Sequence, residues 1–128
     1  MKTEKRLLGD IGEDAAASYL KKNHYRIRER NFVSGKNEID IIAENREYIV
    51  FVEVKTRTYR EKNIERFGSP RLAVDARKRR CVIAAASHYF SALKQKKRIR
   101  FDVIEVYLTD EATPKVQDIH HIPDAFRT

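Results

Sequence analysis

Glu38-Ile39-Asp40-Ile41-Ile42-Ala43-Glu44-Asn45-Arg46-Glu47-Tyr48-Ile49-Val50-Phe51-Val52-Glu53-Val54-Lys55 is the stretch whose reading decides the fold. Its first six residues are rich in β-branched side chains and alternate, and the run from Tyr48 is apolar until charges appear at its end. Two strands are therefore predicted. The polar segment Glu44-Asn45-Arg46-Glu47 between them is short enough for a hairpin turn.

Alternation along a strand places Glu53 and Lys55 on one face and Val52 and Val54 on the other, toward the core. Glu38 and Asp40 likewise share a face. Pairing the hairpin crowds four ionisable groups onto one side of a sheet with strongly apolar neighbours, which is costly unless a cation compensates the acids. Oxygen ligands and retained water suit magnesium, whereas zinc favours histidines and cysteines, which this constellation lacks. Asp40 and Glu53 are thus candidate ligands for Mg2+ or Mn2+, bridging a scissile phosphate. Lys55 either orients water and neutralises the phosphate or is the ion-pair partner of Glu53.

Outward from the hairpin, residues from Thr3 to Asn23 read as a helix with Leu8, Ile11, Ala15, Tyr19 and Leu20 near one stripe and Thr3 as its cap. Gly9 and Gly12 each cost that helix about 1 kcal/mol relative to alanine, which calls for another element approaching closely or for a later helix start. Tyr25 to Val33 is a strand, followed by a turn at Ser34-Gly35-Lys36-Asn37. Arg57 to Ser69, polar and basic and ending in the breaker cluster Phe67-Gly68-Ser69-Pro70, reads as a mobile loop. An alanine-rich helix from Asp75 to Leu93 has Lys78, Val82, Ala85 and Tyr89 on one stripe. Lys97 to Leu108 is a fourth strand, parallel to the third because a long helix joins them. Pro114 to Ile122 adds a short edge strand, and the tail from Asp124 to Thr128 is expected to fray. The expectation is an α/β fold of one domain over residues 1–128, with a mixed central sheet flanked by helices: an antiparallel meander plus a parallel crossover strand.

The 128 residues suffice for a single core. An excess of 27 Lys and Arg over 19 Asp and Glu, net charge +8, makes a polyanion the natural partner. Cys81 is the sole cysteine, which excludes an intrachain disulfide and gives no sign of an oxidising compartment. The basic start leads into Gly9-Asp10 rather than an apolar stretch, and no window approaches the roughly 18 apolar residues of a membrane span. A soluble, cytoplasmic protein without a membrane partner is expected.

Four groups of residues carry a family resemblance over nearly the whole chain. They are Gly12-Glu13-Asp14 with Ala15-Ala16 and Tyr19-Leu20, Asn37 through Ala43, Phe51-Val52-Glu53-Val54-Lys55-Thr56-Arg57, and Phe67-Gly68-Ser69-Pro70 before Lys78. Together they resemble the YraN-like uncharacterised proteins, similar in fold to archaeal Holliday-junction resolvases and hence to the restriction-endonuclease-like, PD-(D/E)XK class. The resemblance implies a nuclease-type site with Asp40 and Glu53 as metal ligands, Lys55 beside the attacking water and Glu13 contributing from the helix. It also makes a homodimer plausible. One position departs from the family pattern: Asn37 stands where glycine is usual, and asparagine tolerates positive φ better than most residues.

Around this core, Glu38 is a candidate supporting group behind the ligands. The run Arg77-Lys78-Arg79-Arg80 opens its helix, where cations oppose the macrodipole, so it reads as a nucleic-acid contact, with Lys78 able to point to the site. Arg57, Arg60 and Lys62 are candidates for following the nucleic-acid backbone, and Tyr59 and Phe67 for base stacking. His120 and His121 are adjacent on a strand, face opposite sides and read as structural, and Cys81 reads as a buried thiol. The leading expectation is a magnesium-dependent endonuclease acting on DNA, including branched structures. Two alternatives stand beside it: a nucleic-acid-binding module that has lost turnover, and an interaction protein whose carboxylates and lysine form only a structural network.

Overall fold

Thr3 opens the first helix by accepting a hydrogen bond from Arg6 N at 3.2 Å, and α1 spans Glu4–Lys22. The computed structural model describes residues 3–58, 75–94 and 97–128. The strands are β1 (Arg26–Ser34), β2 (Asn37–Glu44), β3 (Tyr48–Thr58), β4 (Arg98–Leu108) and β5 (Val116–Phe126), with α2 (Ala76–Ser91) between β3 and β4. They form one sheet in the order β1-β2-β3-β4-β5. The pairs β1/β2, β2/β3 and β4/β5 are antiparallel, and β3/β4 is parallel, as the intervening helix requires. Helices lie on both faces, giving the three-layer α/β architecture expected from the element order.

Each face has its own core. Ala16, Ala17 and Leu20 of α1 pack on Ile41, Ala43, Val50, Val52, Ile104, Val106 and Leu108. On the other face, Val82, Ala85 and Ala86 of α2 pack on Ile39, Ile42, Ile49, Phe51, Phe101 and Val103. Strand β4, between β3 and β5, is buried from Phe101 to Leu108. The two helical glycines separate cleanly. A Cβ on Gly12 would lie 1.9 Å from Thr56 Oγ1, so glycine there lets α1 descend onto β3, whereas Gly9 meets nothing within 4 Å among the described residues.

Turns follow local chemistry. Asn45 Oδ1 accepts from Glu47 N at 3.0 Å and Tyr48 N at 2.8 Å, closing the β2–β3 hairpin. Between β1 and β2 the positive φ falls on Gly35 (61°), and Asn37 is extended, paired with Ser34. The departure from glycine at position 37 therefore strains nothing.

Two expectations require correction. Arg57 and Thr58 are not loop residues: β4 runs on to Leu108 and offers ladder partners, Tyr107 and Leu108, that carry β3 through Thr58. The remainder of that expected loop, with Tyr59, Arg60, Lys62 and Phe67, lies outside the described residues. The C-terminal segment does not fray either. Strand β5 continues past Pro123 to Phe126, whose ring stacks on Phe101 at 5.0 Å, and Ala125 and Phe126 are buried. A register shift between Phe101 and Val103, with Asp124 at φ 53°, hides this continuation from a strict alternation pattern. Among the described residues no helix is long and apolar enough to cross a membrane.

Candidate functional site

The β2–β3 ladder runs from Glu44↔Ile49 to Ile41↔Val52 and stops. Beyond that point β2 is paired only with β1, and β3 only with β4, so the strands part at Asp40 and Glu53. The parting coincides with an irregularity in β2. Ile39 and Ile42 both pack toward α2 while Ile41 packs toward α1, a spacing that strict alternation forbids. Asp40 sits at this break, and its Oδ2 accepts from Val54 N at 2.8 Å, replacing the ladder bond that the fork removes.

Glu53 projects to the α2 face and is only 3% exposed. Its Oε2 lies 3.5 Å from Lys78 Nζ, and among the described residues its Oε1 has no hydrogen-bond partner. Burial, reinforced by the charge of Asp40, pushes the Glu53 carboxyl from its ordinary 4.5 up to about 8. Asp40 is raised as well, burial outweighing the Val54 N–H bond and the charge of Lys78. Glu13, on the flank of α1, is pushed up to about 7 by burial and then by Asp40. For Lys78, burial works against the charged form, but the charges of Glu53 and Asp40 outweigh it and raise its pKa.

Lys55 stands opposite Glu105 in the parallel ladder, and its charge lowers the pKa of both Asp40 and Glu53. The fork thus brings together Asp40, Glu53, Lys55 and Lys78, with Glu13 and Glu38 at its α1 side. It does not assemble the basic run as a unit. Lys78 pairs with Glu53, Arg79 lies over the Phe126 ring at 5.7 Å, and Arg77 and Arg80 face solvent. Asp75 caps α2 by accepting from Lys78 N at 2.8 Å, which offsets cations at that helix start. Arg57 pairs with Glu105 at 3.4 Å.

Two residues escaped the sequence reading. Asn31 lies between Arg30 and Phe32, which pair with Ile41 and Ile39, and so stands across from Asp40. Oriented with its nitrogen toward the acids, its carboxamide donates to Glu13 Oε1 at 3.0 Å and Glu38 Oε1 at 3.3 Å. The available signal was an asparagine inside a strand, a residue type that strands disfavour and that accepts the positive φ of 53° found here. Glu105, 4% exposed, flanks Lys55, and the available signal was its period-two spacing from Phe101 and Val103 along β4. As expected, His120 and His121 do not converge: His120 pairs with Asp118, and His121 Nε2 lies 2.7 Å from buried Asp102.

Among the described residues, no three His, Cys, Asp or Glu side chains converge as a ready-made metal cluster. The donor chemistry nevertheless fits a hard divalent cation. Asp40 and Glu53 offer carboxylate oxygens from opposite sides of the fork, and the orphaned Glu53 Oε1 is a buried acceptor that a cation would satisfy. Magnesium characteristically uses one or two carboxylates and completes its shell with water and phosphate oxygens.

Fold and fork together define a three-layer α/β protein with two carboxylates where adjacent strands part, one lysine on the strand of Glu53 and another on a flanking helix. The chain belongs to the uncharacterised protein family UPF0102, whose model matches residues 12–106. That span holds Glu13, Asn31, Asp40, Glu53, Lys55, Lys78 and Glu105, and the membership agrees with the YraN-like resemblance. A UPF0102 protein of Caldanaerobacter subterraneus subsp. tengcongensis is 42% identical over 98% of this chain and 98% of its own. One from Geotalea daltonii is 44% identical over 98% and 93%, and one from Clostridium beijerinckii 41% over 99% and 98%.

Proposed function

We propose that this protein is a nucleic-acid-binding protein that hydrolyses phosphodiester bonds in DNA, branched structures included, with Mg2+ or Mn2+ held by Asp40 and Glu53 and with Glu13 at the edge of the site. The observation that carries the reading is the buried Oε1 of Glu53, without a hydrogen-bond partner among the described residues, beside the half-buried acid Asp40. Burying two carboxylates within each other's field is costly, and such perturbed acids cluster where chemistry is done. Its resemblance to the restriction-endonuclease-like class supports the same reading, by analogy of fold.

The bound ion would supply Lewis-acid polarisation of the phosphate and charge for the leaving oxygen. Lys55, on the strand face of Glu53, holds a positive charge where the attacked phosphate gains negative charge and orients the attacking water. Asp40 is fixed by the Val54 N–H bond, so its carboxylate does not swing between rotamers. Asn31 restrains Glu13 and Glu38. Lys78 compensates the charge of Glu53 and, with a cation held by Asp40 and Glu53, would be free to contact a phosphate. Arg57, Arg77, Arg79 and Arg80 extend the basic surface from this site, and the net charge of +8 favours a polyanion. A cytoplasmic setting and a symmetric pair of chains, each cutting one strand, go with this reading.

The test is direct. Purified protein with Mg2+ or Mn2+ should nick duplex, flap or four-way DNA, and Asp40→Ala and Glu53→Ala should each abolish it. Activity surviving both changes would sink the assignment. A second reading, a binding module without turnover, is favoured by the Lys78–Glu53 pair, which already places a cation on the acid. Salt-dependent DNA binding with no cleavage under any divalent ion would select it.

A further inference from the structure

Neither the fold nor the site accounts for Gly9. Glycine inside a helix is unfavourable, and at Gly12 the reason is visible: Thr56 occupies the space of a Cβ. At Gly9 no described residue lies within 4 Å of that space. Packing among the described residues therefore gives no cause for glycine here.

The surroundings supply one. Gly9 lines two cavities at once. One, of about 650 Å³, lies between α1 and the end of β3 and is lined by Lys5, Leu8, Lys55, Thr56 and Arg57 among others. The second, of about 350 Å³, continues along the outer side of α1, past Lys5 and Arg6 to Asp10 and Glu13. Both are ligand-sized. Lys5, Gly9 and Glu13 are spaced four apart and so follow one another along a single flank of α1. The trough thus runs from Glu13, beside the acid fork, over the bare backbone at Gly9, to Lys5, with Thr56 and Thr58 on its opposite wall. A side chain at position 9 would stand in the middle of it.

We propose that this trough seats the sugar–phosphate backbone of the strand presented to Asp40 and Glu53, and that position 9 is glycine to keep its path open. The inference rests on the nucleic-acid reading above. Lys5 faces a phosphate from the α1 wall, and close approach to the helix backbone replaces side-chain contact at the centre.

Fluorescent single-stranded and duplex DNA, titrated at fixed salt against wild type, Gly9→Ala, Gly9→Gln and Lys5→Gln, tests this alongside thermal melting. Both Gly9 variants should melt higher, Gly9→Ala by about 4 °C. Gly9→Gln should nonetheless bind more weakly by about tenfold or more, with Gly9→Ala much closer to wild type. Lys5→Gln should reduce the slope of log affinity against log salt by about 1, as for one lost phosphate contact. Wild-type affinity in Gly9→Gln overturns the proposal while leaving the DNA reading standing. A lower melting temperature in Gly9→Ala also overturns it, since the chain itself would then fill the trough. Absence of DNA binding by the wild type overturns the DNA reading and this one together.

Discussion

Glu53 and Asp102 are both withdrawn from solvent, at 3% and 0% exposure, on adjacent strands of one sheet. Their acidities move in opposite directions. Burial and Asp40 push Glu53 up to about 8, whereas at Asp102 the bonds from His121, Arg100 and Asp124 N outweigh burial and hold the carboxyl below its ordinary range. Glu44 belongs with Asp102. It receives Arg26, Arg28 and Lys97, which together outweigh burial and take it from 4.5 down to about 2. Depth alone therefore does not distinguish the acids. The sheet compensates Asp102 and Glu44 and leaves the fork short of positive charge, and that local conflict in an otherwise consistent fold is what singles the fork out as the candidate site.

The contrast predicts opposite signs for mutation. The largest effect belongs to Asp102→Ala, which strands Arg100, 14% exposed and held by two bonds to that carboxylate. Urea unfolding should show a loss of about 3–5 kcal/mol; a loss under about 1 kcal/mol would mean that the network is incidental. Glu53→Gln should instead stabilise the metal-free protein. Because the folded pKa of about 8 lies above the ordinary 4.5, the unfolded chain ionises first, and stability falls as pH rises through that window. The gain from Glu53→Gln in chelator should therefore be on the order of 1–3 kcal/mol at pH 8 and vanish near pH 4.5. A destabilised Glu53→Gln at pH 8 would place Glu53 with Asp102 and erase the distinction.

The smallest of these effects belongs to Glu44. Its pKa is depressed, so its contribution is present above the ordinary 4.5 and is lost as pH falls toward about 2. Glu44→Gln should flatten the acid side of the stability profile by about 1–2 kcal/mol while leaving the region from pH 5 to 8 parallel to wild type. A changed slope in that neutral region would show that the two sets of acids are coupled.

The hairpin was legible because its parts agree: alternating β-branched residues, an Asn45 turn and an apolar run with charges at its end. Lys78 turning inward followed from its stripe with Val82 and Ala85, and Gly12 followed from its cost in a helix. What sequence could not show was the fork. Alternation predicts a continuous ladder, and only the irregularity at Asp40 reveals where β2 and β3 part. Asn31 needed the β1–β2 register, since nothing local connects it to Asp40 or Glu13. Phe126 was hidden because Pro123 and the positive φ of Asp124 break the period just before a core residue. Arg79 lies on Phe126, so its position depended on a strand that the pattern did not extend.

Manganese binding tests the central claim, that the fork at Asp40 and Glu53 is a divalent-cation site. Calorimetric titration of Mn2+ at pH 7 in two buffers of different ionisation enthalpy reports both stoichiometry and proton release. With Glu53 at about 8 and Glu13 at about 7, the acids are partly protonated at that pH, so each chain should bind Mn2+ with release of protons. Glu53→Gln should lose that binding and the accompanying rise in melting temperature. Binding of equal strength and without proton release in wild type and Glu53→Gln would contradict the account.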